Sequence, residues 1–476
     1  MVLENKSNQK LWYLQDLVDK LDGTYQGREN INININRVII DSRIALAGDL
    51  FFAIKGDRLD GHEFVNNAFK TGASLAIVSK DYQHRSKDNN YIIVDDTFLA
   101  LKKLAIASRK RNRGVIIAVT GSVGKTTTKD ILYSCISSYA NTHASPKSFN
   151  NKWGVALALA NMPINSDVGI FELGMNNIGE ISDLTSLVRP NISIITNVEN
   201  AHIGNLKTIM NIGKAKSEIM DSMNEGCYVI LNRDSNCYKL LEKKANKKKL
   251  NIVTFGEAIK SDIQLLELNF LDNVISTVVK VFDKKYRYKL NTNNKFLAYN
   301  SLPILAIFKI LKLNLQSTFS NINFNSVSKS RWETIKFKIS NGSFTLIDDS
   351  YNASPMSMNS SVSQFDSLKI PSNGRKIAVL GDMLDLGEYE FSYHSDLIKQ
   401  VSESNIDIVY TCGESMHKHL NKIANNIKIH WSLDSQEVSK LLLNNICEDD
   451  VILVKGSNAM KMNIITQDFI NNYELF

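Results

Sequence analysis

Short apolar runs alternate with polar, turn-forming segments along the whole chain. In the first hundred residues, four of these runs have the length and composition of strands, at residues 38–40, 50–54, 75–78 and 91–94. Apolar positions at helical spacing predict a helix from His62 that ends at Gly72, and a second helix with Thr97 as its N-cap residue. The pattern therefore predicts a small α/β domain over residues 1–111.

The rest of the chain repeats this alternation twice. Four almost wholly apolar runs are typical of strands covered on both faces, at residues 115–119, 168–171, 192–195 and 228–231. Helical segments separate them, so a central domain with a mostly parallel sheet is expected over residues 112–326. Beyond a stretch rich in Ser and Asn, four more strands are predicted, at residues 344–347, 376–380, 406–410 and 451–454. They indicate a Rossmann-like α/β domain over residues 327–476.

Composition narrows the class of protein. The 476 residues suit about three domains of roughly 150 residues each. The net charge of +7 is small and its lysines and arginines are scattered, so no nucleic-acid partner is predicted. The five cysteines form no CxxC pair and are expected to be reduced thiols. No apolar run approaches the roughly 18 residues of a membrane span, and no signal peptide is recognisable, so a cytoplasmic protein without membrane insertion is expected.

The strongest chemical signal follows the strand predicted at 115–119. The segment TGSVGKTTTK, residues 120–129, leads from that strand into a helix, and Val119 stands where the usual phosphate-binding loop has its first Gly. Glycines let backbone N–H groups turn toward phosphate oxygens, and the helix N-terminus adds partial positive charge. Lys125 is expected to reach the β- and γ-phosphates, and the Thr126 hydroxyl to hold Mg²⁺. The predicted ATP-binding residues of this loop are Gly121, Ser122, Val123, Gly124, Lys125, Thr126 and Thr127.

Three further candidates also have an ordinary structural interpretation. Glu172, after a predicted strand beside the loop, is either a ligand of the nucleotide's metal or a solvated strand-end residue. His202 is either a functional group or, as lone histidines more often are, a structural hydrogen-bonding residue. Lys216 lies in a helical segment, where its pattern is that of a surface lysine.

Polar or Gly-containing segments follow three strands of the third predicted domain, at residues 348–353, 381–383 and 455–457. The carboxyl ends of parallel strands meet at one edge of a sheet, so together the segments predict a ligand-binding crevice. Each segment alone could be an ordinary turn.

Together these segments resemble the Mur ligases, the family that builds the peptide stem of bacterial peptidoglycan. The resemblance covers essentially the whole chain and rests on TGSVGKTTTK at 120–129, SFNNKWG at 148–154, FELGM at 171–175, TNVENAH at 196–202 and AKSE at 215–218. It implies a uridine-nucleotide domain, a P-loop ATPase domain and a Rossmann-like domain, with ATP and two Mg²⁺ ions. It also implies that Lys125, His202 and Lys216 are catalytic and that Glu172 and His202 bind metal. Lys216 is implied to be carboxylated and, in that form, to bind magnesium as well. The implied ATP contacts outside the loop are Asn300, Arg331 and Asp349.

Within the family, two segments are similar to the ligase that adds D-alanyl-D-alanine to UDP-MurNAc-tripeptide, DDSYNASPMSM at 348–358 and GDMLDLG at 381–387. The similarity implies that these two molecules are the substrates. The substrate contacts that it implies are Ser42, Arg43, Asn150, Asn151, Tyr351 and Asn352. The chain departs from the family at Asn458, where an arginine is usual.

The implied reaction is phosphorylation of the tripeptide carboxylate by ATP, followed by attack of the dipeptide amine on the acyl phosphate, in a monomeric enzyme. Two alternatives remain open. One is another ligase of the family, such as the enzyme that adds the diamino acid. The other is a P-loop regulatory ATPase without ligation chemistry.

Overall fold

The structure is a computed structural model that describes residues 10–28, 33–56, 59–200, 203–271, 274–292, 294–315, 330–340, 342–420 and 427–476. In that part of the chain, three large sheets are flanked by helices, and a two-stranded sheet precedes them. The predicted class, three α/β domains, is confirmed. The sheets lie within residues 24–94, 115–290 and 333–455, while the boundary residues of the domains stay predictions.

The N-terminal sheet has five strands. Its strands and those of the small sheet are β1 (Trp12–Tyr13), β2 (Thr24–Gln26), β3 (Asn34–Ile35), β4 (Arg37–Ile39), β5 (Asp49–Phe52), β6 (Leu75–Ser79) and β7 (Tyr91–Val94). The helices of this region are α1 (Leu14–Leu21), α2 (Val65–Thr71) and α3 (Thr97–Arg111). The spatial order is β2-β7-β6-β5-β4, with only β2 antiparallel to its neighbour in this sheet. The helix predicted from His62 begins as a 3₁₀ turn at Gly61–Phe64, and Gly72 ends it with a φ of +136°.

The predicted N-cap of α3 is wrong by one residue. Asp96 is the N-cap, and its carboxylate accepts a hydrogen bond from the Leu99 backbone N–H at 2.7 Å. The Thr97 hydroxyl instead donates to the Ala53 carbonyl at 2.8 Å, which ties α3 to the end of β5. Both residue types cap helices well, so the local sequence did not distinguish them.

The central sheet has nine strands in the order β16-β15-β14-β13-β12-β11-β8-β10-β9. They are β8 (Val115–Thr120), β9 (Thr142–Ala144), β10 (Val168–Glu172), β11 (Ile192–Ile195), β12 (Tyr228–Asn232), β13 (Asn251–Gly256), β14 (Ile263–Leu271), β15 (Val274–Val281) and β16 (Lys284–Leu290). The accompanying helices are α4 (Lys125–Ile136), α5 (Lys152–Ala160), α6 (Glu180–Val188), α7 (Ile203–Leu206), α8 (Ile209–Ser217), α9 (Tyr238–Lys247) and α10 (Lys295–Ile310). Strands β8 to β14 pair in parallel, and β14, β15 and β16 form an antiparallel meander that the apolar pattern did not predict.

The register of the central sheet gathers three strand ends. Glu172 on β10 lies beside Val119 on β8, and Ile195 on β11 lies beside Thr120 on β8. Strand β8 is therefore between β10 and β11, and all three run in the same direction. The segments that follow them meet at one edge of the sheet.

The C-terminal sheet has six strands in the order β17-β18-β22-β19-β20-β21. They are β17 (Glu333–Ile339), β18 (Gly342–Asp348), β19 (Lys376–Gly381), β20 (Ile408–Cys412), β21 (Lys428–Ser432) and β22 (Val451–Lys455). Its helices are α11 (Pro355–Asp366), α12 (Glu390–Ser402), α13 (Glu414–His417), α14 (Ser435–Leu443) and α15 (Asn463–Asn472). Only β17 is antiparallel to its neighbour.

The N-terminal domain packs on α5 of the central domain. The Trp12 indole N–H donates to the Ala160 carbonyl at 2.9 Å, and the Arg111 guanidinium lies 3.4 Å from the centre of a Trp12 ring. Val38 exchanges two hydrogen bonds of 2.9 Å with the Asn161 side chain. Strand β4 is thus joined directly to the segment that follows α5.

Two predictions from composition have a structural outcome. No disulfide joins the five cysteines, all of which lie within the described residues. Within the described residues, no helix has both the length and the apolar character that a membrane span requires.

Candidate active site

A cleft of about 570 Å³ lies between the carboxyl ends of the central and C-terminal sheets. The central domain contributes the loop after β8, Glu172, Lys216 and Asn300 to its walls. The C-terminal domain contributes Arg331 from its start, Asp349, Tyr351 and Asn352 from the segment after β18, and Lys455 from the end of β22. The structure therefore brings most of the predicted site residues to one cavity.

The loop between β8 and α4 depends on two glycines. Gly121 and Gly124 have φ angles of +152° and +84°, where other residues are strained. A Cβ atom on Gly121 would lie 1.9 Å from the Thr196 hydroxyl oxygen, and one on Gly124 would lie 2.7 Å from the Asn300 amide oxygen. The loop is therefore packed closely under Asn300, the residue that the resemblance assigns to ATP.

Lys125 carries the positive charge at the end of this loop. Its ammonium donates to the carbonyls of Gly121 at 2.8 Å and Ser122 at 3.2 Å. Burial lowers the pKa of Lys125, and the charge of Arg331 lowers it further, whereas Glu172 acts in the opposite direction. The cleft thus places a partly buried cation at the N-terminus of α4, where anions bind.

Glu172 connects the loop to the segment that follows β9. The side chain is the last residue of β10 and is only 1% exposed. One carboxylate oxygen accepts from the Thr126 hydroxyl at 2.7 Å, and the other accepts from the Asn150 amide at 2.7 Å. The Ser148 hydroxyl lies 3.1 Å from that of Thr126. These hard oxygen donors are the kind that Mg²⁺ prefers.

Lys216 is buried rather than at the surface, so the interpretation from its local pattern is wrong. It lies near the end of α8 and is 2% exposed, whereas Lys214 on the same helix is exposed. Burial lowers its pKa well below the usual range, and the nearby charge of Lys125 adds to the effect. His202, predicted beside it, lies outside the described residues.

The C-terminal domain adds an ion pair to the cleft. A carboxylate oxygen of Asp349 lies 2.7 Å from the Lys455 ammonium, and the same oxygen accepts from the Ser361 hydroxyl at 2.7 Å. The Arg331 guanidinium lies 4.1 Å from the centre of the Tyr351 ring, which orients it by a cation–π contact. Sequence reasoning identified the strand end at 455–457 but not this partner for Asp349.

Tyr351 reaches across the cleft. Its hydroxyl donates to Ser148 of the central domain. The backbone carbonyl of Tyr351 accepts from the Asn458 amide at 3.1 Å, and the Asn458 N–H lies 3.5 Å from the Asn352 amide oxygen. Asn458, which replaces the usual arginine, therefore stabilises the loop that holds Tyr351 and Asn352.

Three predicted substrate residues do not line this cleft. Ser42 is buried and accepts from the Asn67 amide at 3.0 Å, whereas the Arg43 side chain is 82% exposed and pairs with Asp41 at 2.6 Å. The Asn151 side chain is the N-cap of α5 and accepts from the Gly154 N–H at 2.8 Å.

Sequence reasoning missed two residues of the site. Ser148 belongs to the quoted segment at 148–154, but its position between Thr126 and Tyr351 depends on two domains. Lys129 ends the quoted segment at 120–129 and is 1% exposed. A buried lysine in a helix cannot be recognised from local sequence, because the same pattern fits a solvated one.

Comparison with known families matches three consecutive parts of the chain. Residues 34–109 match the model described as Mur ligase family, catalytic domain. Residues 119–308 match the Mur ligase middle domain, and residues 330–458 match the Mur ligase, glutamate ligase domain. The three matches follow the order of the three sheets.

Individual relatives extend over nearly the full length. The curated UDP-N-acetylmuramoyl-tripeptide--D-alanyl-D-alanine ligase of Rickettsia prowazekii is 31% identical over 435 residues, which cover 91% of this chain and 95% of that protein. The ligase of the same name from Bacillus subtilis is 29% identical over 471 residues, covering 96% and 98%.

Solved structures agree with these relatives. MurF from Acinetobacter baumannii is 27% identical and superposes with a TM-score of 0.81, covering 97% of this chain and 99% of that one. The MurF ligase of Thermotoga maritima in complex with ADP is 25% identical, with a TM-score of 0.73 and coverages of 91% and 97%. The chain belongs to the Mur ligase family and, within it, to the MurF type.

Proposed function

We propose that this ligase uses ATP to join D-alanyl-D-alanine to the terminal carboxylate of UDP-MurNAc-tripeptide, which gives UDP-MurNAc-pentapeptide. The observation that supports this most directly is the cleft in which a phosphate-binding loop faces the polar strand ends of a second α/β domain. Relatives that carry this activity in their names match more than nine-tenths of the chain.

The nucleotide would bind on the central side of the cleft. The N–H groups at the start of α4 and the Lys125 ammonium suit the β- and γ-phosphates. Asn300 packs against Gly124, so its amide is available to a base or ribose near the loop. Arg331 and Asp349, from the opposite wall, would hold the nucleotide from the C-terminal domain.

The donor set at Glu172 fits Mg²⁺. Thr126 and Glu172 would hold the ion together with phosphate oxygens, and His202 is the ligand expected for a second ion. When bound, Mg²⁺ neutralises charge between the two anions that must approach each other, the triphosphate and the carboxylate.

We infer that Lys216 acts as a carbamate. An ammonium would be repelled by a nearby cation, whereas the neutral amine can react with CO₂ to give an anion with oxygen donors. The lowered pKa of Lys216 and its burial near Lys125 both favour the neutral amine.

The substrates would reach the cleft from two sides. The N-terminal domain, through Ser42 and Arg43, is proposed to bind the uridine nucleotide, and Asn150 and Asn151 to guide the peptide. Tyr351 and Asn352 are proposed to hold the incoming dipeptide. The amine then attacks the acyl phosphate carbon and expels phosphate, a step that requires exclusion of water from the closed cleft.

A panel of amines tests the proposal. The enzyme is given ATP and Mg²⁺ with UDP-MurNAc-tripeptide or UDP-MurNAc-dipeptide, and with D-alanyl-D-alanine, L-lysine or diaminopimelate. Products are identified by mass spectrometry, and ATP hydrolysis is also measured without the peptide substrate and without the amine. We expect UDP-MurNAc-pentapeptide to form only when the amine is D-alanyl-D-alanine. A preference for UDP-MurNAc-dipeptide with a diamino acid would assign the chain to the neighbouring ligase. ATP hydrolysis that needs neither carboxylate nor amine would favour a regulatory ATPase.

A further inference from the structure

Lys129 is a fully buried lysine that the proposed chemistry does not use. It lies on α4, one turn beyond Lys125, and is 1% exposed. Its ammonium donates to the Ser145 carbonyl at 2.8 Å and the Lys147 carbonyl at 2.6 Å, and it lies 3.0 Å from the Asp130 carboxylate. These three contacts match the three N–H groups of an ammonium.

The two carbonyls belong to the segment that leaves β9. Ser145 is also joined to β10, because its N–H donates to the Ile170 carbonyl at 2.9 Å. Lys147 has a φ of +49°, in the left-handed region that a side chain disfavours. A charged hydrogen bond to the carbonyl of this strained residue stabilises the turn. Lys129 thus holds the segment at the point where the backbone is least stable by itself.

Two of the next three residues, Ser148 and Asn150, line the cleft. Ser148 contacts Thr126 and receives the hydrogen bond from Tyr351 of the C-terminal domain. Asn150 donates to Glu172 at 2.7 Å. A displacement of the turn at Lys147 would therefore be passed to both the proposed metal site and the contact between domains.

We propose that Lys129 is a positioning residue, which fixes the turn at residues 145–147 so that Ser148 and Asn150 meet Thr126 and Glu172. The proposal rests on the proposed ligase function. It assigns to the ammonium no contact with ATP or peptide. Its effect on the reaction should pass through the segment that carries Ser148 and Asn150. Loss of the Lys129 ammonium should therefore have little further effect in a variant that already lacks the Asn150 side chain.

The variant Lys129→Met removes the ammonium and keeps a long apolar side chain. We expect kcat for ligation to fall by about 30- to 100-fold, the scale of a displaced catalytic geometry, while KM for ATP rises by about tenfold or less. Asp130→Asn is the matched control, because it removes the ion pair and keeps both carbonyl contacts. It should retain kcat within about threefold.

A double-mutant cycle separates positioning from simple destabilisation. If Lys129 acts through Asn150, the combination with Asn150→Ala should cost much less than the product of the two single effects. Multiplicative effects, or a Lys129→Met enzyme within about threefold of wild type, would overturn the proposal. Should Lys129→Met fail to fold because Asp130 is left unpaired, the double variant with Asp130→Asn carries the same test.

Calorimetric titration with ADP, with and without Mg²⁺, gives a second readout. In Lys129→Met, the gain in ADP affinity that Mg²⁺ provides should shrink by about tenfold, with the same non-additivity toward Asn150→Ala. An unchanged gain would contradict positioning of the metal site. A wild-type enzyme that binds Mg²⁺ and ADP but forms no pentapeptide would refute the proposed function, and this binding cycle would still test Lys129.

Discussion

Lys125 extends from the first turn of α4, and its ammonium is held by two carbonyls of its own loop. A γ-phosphate would offer stronger acceptors, so we expect the ammonium to exchange these carbonyls for phosphate oxygens. The variant Lys125→Ala should therefore lower kcat by about a hundredfold or more, the scale of one lost electrostatic stabiliser. Steady-state kinetics would measure the loss. A variant with a native circular dichroism spectrum and near wild-type turnover would contradict the assignment of the loop.

Lys216 permits a rescue experiment. We expect Lys216→Ala to lower activity by about 10- to 100-fold, as for other residues that support a metal site. Formate or acetate should restore part of the activity, because a small carboxylate can occupy the place of the carbamate. Lys214→Ala is the matched control, since Lys214 is exposed on the same helix and should tolerate the change. The opposite result, an active Lys216→Ala and a rescued Lys214→Ala, would move the role to Lys214.

Individual site residues were predictable only where the motif itself defines their environment. The loop at 120–129 requires Gly, Lys and Thr at fixed spacing, and the structure gives these residues the backbone geometry of a phosphate-binding loop. The burial of Lys216 has no such local signature, because α8 packs against elements that are distant in the sequence, such as α6 and α9. The ion pair between Asp349 and Lys455 joins residues more than a hundred positions apart, and the sequence of neither segment predicts it.

At the scale of elements, strands with a distinctive local pattern were predicted, and strands without one were not. Strands of the parallel core, such as β8 and β22, are continuous apolar runs and were predicted closely. Strand β16 carries charged residues along its exposed side, and a register shift between Leu265 and Glu267 interrupts the alternation of β14. The charged residues of β16 and the interrupted alternation of β14 differ from the continuous apolar runs that indicated the parallel strands, so these two strands were not predicted.

Asn151 allows an element-scale prediction, because it is both the N-cap of α5 and a proposed substrate residue. Asn151→Ala should destabilise the protein by about 1 kcal/mol, the usual cost of a lost cap, whereas Asn151→Ser should stay within a few tenths of wild type. Urea unfolding followed by circular dichroism would compare the two. A stable Asn151→Ser enzyme with a raised KM for the peptide substrate would support the substrate contact as well as the cap. Equal stability of the Ala and Ser variants would contradict the capping role.

At the scale of the whole molecule, the central and C-terminal domains meet beside the cleft. The Gly204 N–H on α7 donates to the Asp385 carbonyl at 3.1 Å, within the GDMLDLG segment that distinguished this type of ligase. The Asn200 amide donates to the Tyr393 hydroxyl at 2.7 Å nearby. Gly387 has a φ of +57°, and a Cβ atom there would lie 2.8 Å from the Gly204 Cα. The two glycines therefore allow the backbones of the two domains to touch.

Gly204→Ala tests whether this contact closes the cleft. A Cβ atom at Gly204 would lie 2.8 Å from both the Asp385 carbonyl oxygen and the Gly387 nitrogen, so the domains must separate slightly. Alanine is favoured over glycine within a helix, so α7 itself should not be weakened. We expect kcat for ligation to fall by about tenfold or more, and water to reach the acyl phosphate. The ratio of phosphate released to pentapeptide formed should therefore rise above the wild-type value.

The control for this prediction is Asn205→Ala, an exposed position on the same helix, which should leave both rate and ratio unchanged. Small-angle X-ray scattering in the presence of ADP and Mg²⁺ would show whether Gly204→Ala is more extended than the control. A slower enzyme whose phosphate-to-peptide ratio stays at the wild-type value would contradict the argument, because loss of closure must admit water as well as misalign the substrates. A raised ratio of phosphate to pentapeptide with an unchanged scattering profile would instead indicate that water reaches the acyl phosphate through a local movement at Asp385.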